Sequence, residues 1–546
     1  MIRRVTTLLA TVAVAAATGL GSTPAIAGHA MGSAMTFSPE VNIEPYGGGT
    51  EPRVTVAPNG KRYIASNQAS GGKAEIYQST DGLSWHRTAG TLPGQGSATI
   101  DVDIVAMHTG RLLATELDTQ GLNFISGYSD DEGKTWTAST GTALADQDRQ
   151  WFAVGPDDAT THQPRVYLLF HNLASGNANH NMFVSTSTDG GATFGPPVPT
   201  TLPGSQAYLD LQCADSGGPS NIFVNQKTGQ VYAVFGTRSS PLPGGVLNLG
   251  GCGASLTGTF QFNIVAATKV WVATSPDGSL GSWTQSAAVD NSATQKIVGM
   301  QLDVGAIDTA GNVYITYPES PNGFPDYSKA PVKLTWAGPS LAHWSTPVTV
   351  TPGGSVGNML VHAVAGDPGK LDLAYFSGVA RPGKGPLWYL TAAQTLNGMD
   401  PSPTFTETRI STIPTYTLTP AQMMGACTPS GIVNGLACNR STDVWGVAVD
   451  NSCHMVITWP VSGDSSQNDV SAAKGGTYAT SQVGGPTVCA NAASSSPATP
   501  SPSPRGVLPN TSGGAEAPWW AAWALAALIL MTTLGLGLRL GGRRLS

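Results

Sequence analysis

A set of ionisable and aromatic residues stands at the starts of successive apolar segments, and these residue types can bind metal ions or hydrolyse glycosidic bonds. Carboxylates that meet at one opening can hold Ca²⁺ through their oxygens, or supply the acid and base of glycoside hydrolysis. The candidate catalytic residues are Arg53, Asp103, Asp148 and Arg149, and the candidate substrate-binding residues are Glu51, Trp151, Asp303, His362 and Asp443. The alternative is that these side chains cap strand ends and hydrogen-bond neighbouring turns.

The run Asp148-Arg149-Gln150-Trp151 combines an ion pair with an aromatic ring at one segment start. An Arg can bind a carboxylate through two parallel hydrogen bonds, and the face of a Trp can stack on a sugar ring. A Trp in a repeat protein also packs between sheets, and packing is the favoured interpretation for Trp151. The role of Arg149 is left open.

These residues belong to a repeat in which an alternating apolar strand, a short turn and a second strand recur. Alternation with period two and turn residues between the strands is typical of a β-hairpin. The copies span 53–66, 103–115, 151–170, 222–235, 304–317, 362–375 and 446–459. Their spacing leaves room for two further strands in each unit, which predicts four-stranded sheets repeated around an axis.

A second motif follows each of the first hairpins. Segments 129–136 and 187–194 fit the pattern Ser-x-Asp-x-Gly-x-Thr followed by Trp or Phe, 79–85 and 275–283 fit it more loosely, and the fifth unit keeps only Trp344. In such a turn Asp and Ser side chains accept backbone N–H groups, Gly takes positive φ, and the aromatic ring packs between sheets. We therefore expect these residues to stabilise a hairpin and to perform no chemistry.

This motif resembles the Asp box, or BNR repeat, of the sialidase superfamily. The resemblance implies an all-β fold, a single-domain β-propeller of four-stranded blades. Seven hairpins predict seven blades, whereas true sialidases imply six, with one hairpin completing a shared blade. The resemblance covers most of residues 45–490.

An active sialidase of this family would use three arginines to hold a substrate carboxylate, a Tyr/Glu nucleophile pair and an Asp acid. The Arg-Ile-Pro tripeptide of those enzymes is absent, and Glu51-Pro52-Arg53 stands in a comparable place. The arginines available for this role are Arg53, Arg149, Arg238, Arg381 and Arg440, and the tyrosines are Tyr317 and Tyr389. The Asp boxes themselves also occur in proteins that are not enzymes.

Both ends of the chain predict export. Arg3 and Arg4, an uncharged run and Ala25-Ile26-Ala27 form a secretory signal peptide over residues 1–27. Residues 491–507 form a Pro/Ser-rich stalk. Residues 519–538 carry no charge and are long enough to cross a membrane as a helix, and the arginines that follow place the C-terminus inside.

The segment Leu508-Pro509-Asn510-Thr511-Ser512 precedes this apolar stretch and resembles an LPXTG cell-wall sorting signal, with Ser512 in place of Gly. Residues 508–546 therefore predict attachment to peptidoglycan by a sortase, after cleavage behind Thr511, or retention in the membrane by the helix. Either route displays residues 37–490, the predicted propeller, on the extracellular face of the cell.

Charge and cysteine content limit the partners. Residues 28–518 hold 22 Lys and Arg against 34 Asp and Glu, a formal charge of −12, which disfavours nucleic acid and anionic membranes. Six cysteines in the exported part predict disulfides, and sequential pairing closes the shortest loops: Cys213 with Cys252, Cys427 with Cys438, and Cys453 with Cys489.

The sequence thus predicts a secreted, surface-anchored propeller that binds or processes carbohydrate at the cell envelope. The alternatives are a non-catalytic adhesion or scaffold module and an active exo-glycosidase of the sialidase type. We expect a monomer, no nucleic-acid partner, and Ca²⁺ as the one candidate cofactor.

Overall fold

The structure, a computed structural model, describes residues 34–43, 51–66, 74–93, 101–118, 123–142, 147–172, 180–212, 219–238, 267–298, 305–321, 329–382, 384–414, 432–433, 436–437, 445–461 and 476–489. The chain divides into two compact units, 1–492 and 493–546, and every described residue belongs to the first.

Seven antiparallel sheets follow one another along the chain, and the first six are each built from four consecutive strands. Blade 1 is β3 (Arg53–Val56), β4 (Arg62–Ser66), β5 (Glu75–Ser79) and β6 (His86–Arg87). Blade 2 is β7 (Val102–Ala106), β8 (Leu112–Asp118), β9 (Asn123–Ser129) and β10 (Thr137–Ala138). Blade 3 is β11 (Gln147–Asp157), β12 (Pro164–Asn172), β13 (Met182–Ser187) and β14 (Val198–Pro199). Blade 4 is β15 (Pro219–Val224), β16 (Val231–Thr237), β17 (Lys269–Ser275) and β18 (Thr284–Asp290), preceded by α1 (Gln206–Leu211); blade 5 is β19 (Ala306–Ile307), β20 (Val313–Pro318), β21 (Val332–Ala337) and β22 (Val348–Thr351). Blade 6 is β23 (Asn358–Ala365), β24 (Leu371–Arg381), β25 (Lys384–Thr395) and β26 (Thr406–Arg409), and β27 (Ile432–Val433) with β28 (Leu436–Ala437) forms a small ribbon before blade 7.

Blade 7 is assembled from both ends of the propeller. Its inner strands are β29 (Gly446–Val449), β30 (Met455–Val461) and β31 (Gly476–Gly484), and its outer edge is β1 (Thr36–Phe37) and β2 (Val41–Asn42), which both pair with β31. The N-terminal segment therefore supplies the fourth strand of the last blade. The sequence analysis did not predict this pairing, because Thr36 and Gly484 pair across almost the whole described chain.

The first strand of each blade lies innermost. Consecutive first strands contact one another, and β29 contacts β3, so the ring closes. The prediction of an all-β propeller with seven four-stranded blades is confirmed. The alternative of six blades, with one hairpin completing a shared blade, is wrong because every predicted hairpin starts a sheet of its own.

The apolar core lies between the blades. Each of the seven interfaces holds one cluster of buried side chains; the cluster between blades 3 and 4, for example, contains Trp151, Leu169, Phe235 and Trp283. Trp85, Trp136, Phe194, Trp283 and Trp344, the aromatic residues of the Asp boxes and of the fifth unit, all pack into the interface with the preceding blade. Burial on both faces of each sheet explains why the strands are rich in apolar residues and poor in charge.

The Asp boxes have the predicted geometry. Ser129 Oγ accepts the N–H of Gly133 at 2.8 Å, and Asp131 Oδ1 accepts the N–H of Thr135 at 2.8 Å. Gly133 has φ of +80°, which a residue with a Cβ adopts only with strain. Hydrogen bonds from Thr135, first its backbone N–H and then its hydroxyl, lower the pKa of Asp131 to about 2.

The two faces of the propeller differ in what they carry. On the upper face the first strands begin, next to Glu51, Asp101 and Arg149; on the lower face lie the turns between first and second strands and the Asp boxes. Short hydrogen-bonded turns therefore close the lower face.

The Cys453–Cys489 disulfide is present, with Cα atoms 5.8 Å apart, as the sequential pairing predicts. The predicted pairs Cys213 with Cys252 and Cys427 with Cys438 lie outside the described residues. Within the described ranges no helix is long and apolar enough to cross a membrane, and the predicted anchor at 508–546 falls outside them.

Replacing Asp189 tests the structural role of the Asp boxes. Its Oδ1 accepts the N–H of Thr193 at 2.8 Å and the hydroxyl of Ser187 at 2.7 Å. Burial raises the pKa of Asp189, but these hydrogen bonds outweigh it and hold that pKa below its usual value. We expect Asp189→Ala to lower the free energy of unfolding by about 1–2 kcal/mol at pH 7, the usual cost of two such bonds, and Asp189→Asn to cost less because it keeps the acceptor.

The difference between wild type and Asp189→Ala should be full above about pH 4, the ordinary Asp pKa, and shrink as the pH falls through the lower folded pKa. Urea denaturation at pH 7 and below about pH 4 measures this difference in the free energy of unfolding. Asp400→Ala, which removes an exposed carboxylate with one side-chain partner, is the matched control and should change stability by less than about 0.5 kcal/mol. Equal losses for both variants would contradict the stabilising role of the box.

Candidate functional site

One level of the central channel collects residues from six blades. The hairpin registers are equivalent, pairing Arg53 with Ala65 in blade 1 and His362 with Ala374 in blade 6. The residues at this level are Arg53, Asp103, Trp151, Asn221, His362 and Gly446. The sequence analysis named four of them and missed Asn221 and Gly446, which stand at the same distance from their hairpin turns.

Arg53 is the centre of the contacts at this level. Its Nε donates to Asp103 Oδ1 at 3.1 Å, and its guanidinium lies 5.0 Å from the ring centroid of Trp151. Asp103 Oδ2 accepts the N–H of Phe152 at 2.8 Å. The side chains of Arg53 and Asp103 are 14% and 2% exposed, so this ion pair ties blades 1, 2 and 3 together.

Trp151 continues the chain of contacts to blade 4. It is fully buried, and its indole N–H donates to the carbonyl of Pro219 at 3.0 Å. Its ring lies under Arg53 and within the apolar cluster of blades 3 and 4. This placement accords with the packing role favoured for Trp151 and leaves its ring face away from solvent.

A cavity of ≈ 270 Å³ occupies the channel beside this level. Arg53, Asn221 and His362 line its polar part, and the other lining residues are Val54, Phe223, Ala306, Ile307, Ala363, Val364, Ala365, Gly446, Val447 and Val449. Pockets for drug-sized ligands hold about 300–1,000 Å³. This cavity therefore suits one small group rather than an extended chain.

Gly446 brings the last blade close to the first. A Cβ at this position would lie 2.6 Å from the backbone N of Val54 and 3.0 Å from the Cα of Arg53. Real carbon and nitrogen atoms do not approach so closely, so a larger residue would push β29 away from β3. The seventh hairpin therefore begins with Gly where the others carry a side chain.

His362 is buried in the channel wall with its ring centroid 4.0 Å from that of Trp445. Burial, and secondly the charge of Arg53, hold the pKa of His362 well below its ordinary value. The imidazole is therefore neutral at physiological pH, and it lines the cavity as a hydrogen-bonding group rather than as a cation.

Two charged residues at the upper mouth have an unusual backbone. Glu51 and Arg149 are 7% and 5% exposed, and their φ angles are +57° and +56°. The positions are equivalent, each two residues before the channel level, and Leu360 at +50° is their counterpart in blade 6. In blade 3 the register shifts between Asp148 and Trp151, and such bulges re-aim side chains next to functional sites.

Further buried charges lie at the upper ends of second and third strands. Lys269 Nζ lies 3.1 Å from Asp210 Oδ2, with both side chains under 10% exposed, and Glu116 Oε2 accepts the N–H of Ala74 at 3.0 Å. The sequence analysis missed these residues because it followed only the starts of the first strands. A charge at the upper end of an otherwise apolar second or third strand is the signal that would have found them.

A buried histidine pair adds to the polar groups of this face. His171 Nδ1 lies 3.0 Å from His180 Nε2. Burial, and secondly the charge of His171, lower the pKa of His180 to about 3. His180 is therefore neutral at physiological pH.

Some predicted site residues cannot be placed. Asp303 and Asp443 lie outside the described residues, as does the side chain of Asp148. Among the described residues no group of three or more His, Cys, Asp or Glu side chains is arranged to hold a metal ion. The catalytic and binding roles of Arg53, Asp103, Arg149 and Glu51 stay predictions; Arg53 and Asp103 lie at the channel level, and Glu51 and Arg149 stand two residues before it in their blades.

The buried histidines predict a loss of stability in mild acid. In the unfolded chain His362 takes up a proton near its ordinary pKa of 6.5, whereas the folded state resists protonation, so the free energy of unfolding falls as the pH drops below about 6.5. We expect His362→Gln to make this decline shallower, by at most about 1.4 kcal/mol per pH unit. His180 continues to contribute in the variant because its pKa is also lowered.

Chemical denaturation between pH 7 and pH 5 measures the slope. Leu209→Gln, at a position where the side chain is 50% exposed, is the control and should leave the slope unchanged, because neither side chain titrates. Identical slopes for wild type and His362→Gln would show that His362 takes up its proton at the same pH in the folded and unfolded states, and would contradict the lowered pKa.

Comparison with known proteins identifies a related repeat. A family model for a BNR repeat-like domain matches residues 54–320, and no curated protein matches the chain. The match and the seven four-stranded blades fit a sialidase-like BNR propeller.

Solved structures with a similar fold come from several kinds of protein. An alpha-L-arabinanase of Penicillium chrysogenum complexed with arabinobiose is 10% identical, covering 82% of this chain and 98% of its own, with a TM-score of 0.40. An ulvan lyase of polysaccharide lyase family PL25 is 10% identical, covering 78% and 94%, with a TM-score of 0.45. A fucose-specific lectin from Aleuria aurantia is 10% identical, covering 67% and 96%, with a TM-score of 0.37.

Proposed function

We propose that this protein is an exported, surface-displayed propeller that binds carbohydrate at its upper face, with a single terminal sugar unit seated at the channel mouth. The observation that carries the proposal is the pair Glu51 and Arg149. Two oppositely charged, buried residues occupy equivalent positions in left-handed backbone at one mouth. Each such position costs about 1–3 kcal/mol, and strain of this kind concentrates at functional sites.

The composition of the cavity supports a sugar as the ligand. A sugar ring presents C–H groups on its faces and hydroxyl groups around its edge, so it requires apolar walls together with a few hydrogen-bonding groups. The cavity combines Phe223 and several aliphatic side chains with Arg53, Asn221 and His362. The formal charge of −12 over residues 28–518 favours neutral glycans over polyanionic ones.

Binding without turnover accords best with the ion pairing of Arg53. An exo-sialidase would need arginines whose guanidinium groups are available to a substrate carboxylate, whereas Arg53 already donates to Asp103. A glycoside hydrolysis assay on the same protein preparation can still detect turnover. The proposed class is therefore a lectin-like or adhesion module, with hydrolysis as the competing result.

Substitution of Arg149 tests the site. Arg149→Gly removes the side chain and relieves the positive φ, so we expect glycan affinity to fall at least tenfold, the usual value of a charge-assisted hydrogen bond. Thermal denaturation of the same variant checks that it stays folded at the temperature of the binding measurement. Arg149→Lys keeps the positive charge and should retain part of the glycan affinity. Comparison of the Lys and Gly variants therefore separates the effect of the charge from the effect of the backbone conformation.

The measurements are a glycan array on residues 28–492, followed by calorimetric titration with the glycans that bind. His162→Gly is the matched control: His162 also has φ of +55° but lies exposed on the lower face, so its loss should not affect binding. Silence on an array of neutral and acidic glycans would overturn the proposal. Turnover of fluorogenic glycosides, including a sialoside, that Arg53→Ala abolishes would replace it with an exo-glycosidase.

Surface display has its own test. We expect Thr511→Ala to shift the full-length protein from the cell-wall fraction to the membrane fraction, because a sortase would no longer cleave behind residue 511. Equal distribution of both proteins in the membrane fraction would instead indicate retention by residues 519–538. Release of the wild-type protein into the medium would contradict attachment by either route. An Asn510→Ala variant changes a position that the sorting pattern leaves free and is the control.

A further inference from the structure

The chain leaves the propeller through a short segment that is held in place at both sides. After β31 reaches the lower face at Gly484, residues 485–489 run on between blades 6 and 7, while β1 and β2 occupy the outer edge beside β31. We call residues 485–489 the exit strap. It lies where the other blades have their turn between third and fourth strands.

Hydrogen bonds hold the exit strap from two blades. The carbonyl of Pro486 accepts from Gln394 Nε2 of blade 6 at 3.0 Å and from Gln482 Nε2 of blade 7 at 2.7 Å. The carbonyl of Val488 accepts the N–H of Asp367 at 2.8 Å, and Val488 is fully buried. The strap is therefore part of the interface rather than a trailing end.

A covalent bond then fixes the last described residue. Cys489 is disulfide-bonded to Cys453, which lies in the turn between β29 and β30. The same turn is tied to blade 1, because Asp450 pairs with Arg62 at 3.3 Å and accepts the N–H of His454. The disulfide thus joins the exit of the chain to the innermost hairpin of blade 7 and, through it, to blade 1.

We propose that this disulfide carries the mechanical force when the stalk is under tension and thereby protects the pairing that completes blade 7. The inference rests on the proposed surface display, which makes residues beyond 490 the tether. Force arriving at Cys489 passes through the covalent bond to Cys453, so residues 454–488 carry no load. These residues include β31, whose pairing with β1 and β2 completes blade 7.

Without the disulfide, the same force would act on individual hydrogen bonds, one after another. It would first act on the carbonyls of Val488 and Pro486 and then on the pairs between β31 and its neighbours. Bonds loaded one after another separate at lower force than bonds loaded together. Loss of β31 would also release β1 and β2, and blade 7 would keep only β29 and β30 between blades 6 and 1.

Single-molecule pulling on a protein spanning residues 28–507 tests the proposal. One handle is attached at the C-terminus and the other through a click-reactive residue at position 280, where Leu280 of blade 4 is 71% exposed. Wild type should show no extension step before global unfolding. The variant Cys453→Ala with Cys489→Ala should show a step of up to about 130 Å, from 36 residues of sequence separation at ~3.6 Å each.

Pulling between position 280 and the N-terminus is the control for direction. There the load enters through β1 and β2, and wild type and the double variant should give the same first step. A disulfide that only stabilises the folded state would change both pulling directions alike, which would overturn the proposal. Identical C-terminal traces for wild type and the double variant would also overturn it.

Two further measurements cover a double variant that does not fold and test the role of the strap hydrogen bonds. If the double variant does not fold, wild type is loaded first and then reduced under constant force, and the same step should follow. Gln394→Ala removes a strap hydrogen bond and keeps the disulfide, so it should show no step. Release of the protein into the medium in the fractionation experiment would remove the physiological load without altering any trace.

Discussion

Ring closure is the constraint on which the rest of this structure depends, because a propeller blade has no core of its own. Each apolar cluster lies between two sheets, so an open ring would expose the outer face of the first blade and of the last. Blade 7 closes the ring with strands from both ends of the described chain. Strands β29 to β31 come from the C-terminal part, and β1 and β2 come from the N-terminal part. Gly446 then lets β29 approach β3 closely enough for the seventh interface to pack.

Hydrogen bonds between neighbouring blades also hold the ring closed, because side chains of one blade bind the turns of the next. Arg111 of blade 2 donates to the carbonyls of Asp189 and Gly190 in the Asp box of blade 3. Tyr232 of blade 4 donates to the carbonyl of Pro339 in blade 5, and Tyr314 of blade 5 accepts the N–H of Gly369 in blade 6. The Asp box therefore does more than hold its own hairpin, because it offers rigid carbonyl groups to the preceding blade. The exit strap offers the carbonyls of Pro486 and Val488 to blade 6 in the same way.

Sequence alone predicted the local parts of this fold and of its site. Hairpins and Asp boxes depend on residues that lie close together in sequence, at most 151 to 170 for the longest hairpin, and both were located by pattern. The pairing of Thr36 with Gly484 has no such pattern, since β1 has only two residues and the register shifts between Thr36 and Phe37. At the channel, alignment of the hairpins placed Arg53, Asp103, Trp151 and His362 at one level. It did not show that Arg53 would pair with Asp103 and cover Trp151, because neighbouring blades decide those contacts.

The division between the two faces follows from these same contacts. The lower face is filled by hydrogen-bonded turns, inter-blade ties and the exit strap, so its residues are committed to holding the ring closed. The upper face carries the buried residues Glu51 and Arg149, which both have positive φ. Strain is tolerated there because the sheets below are held on both sides, and a rigid ring can keep two charges in unfavourable backbone conformations. Because the chain leaves the propeller from the lower face, the exit strap does not occupy the channel mouth, and a ligand can approach the mouth without displacing the strap.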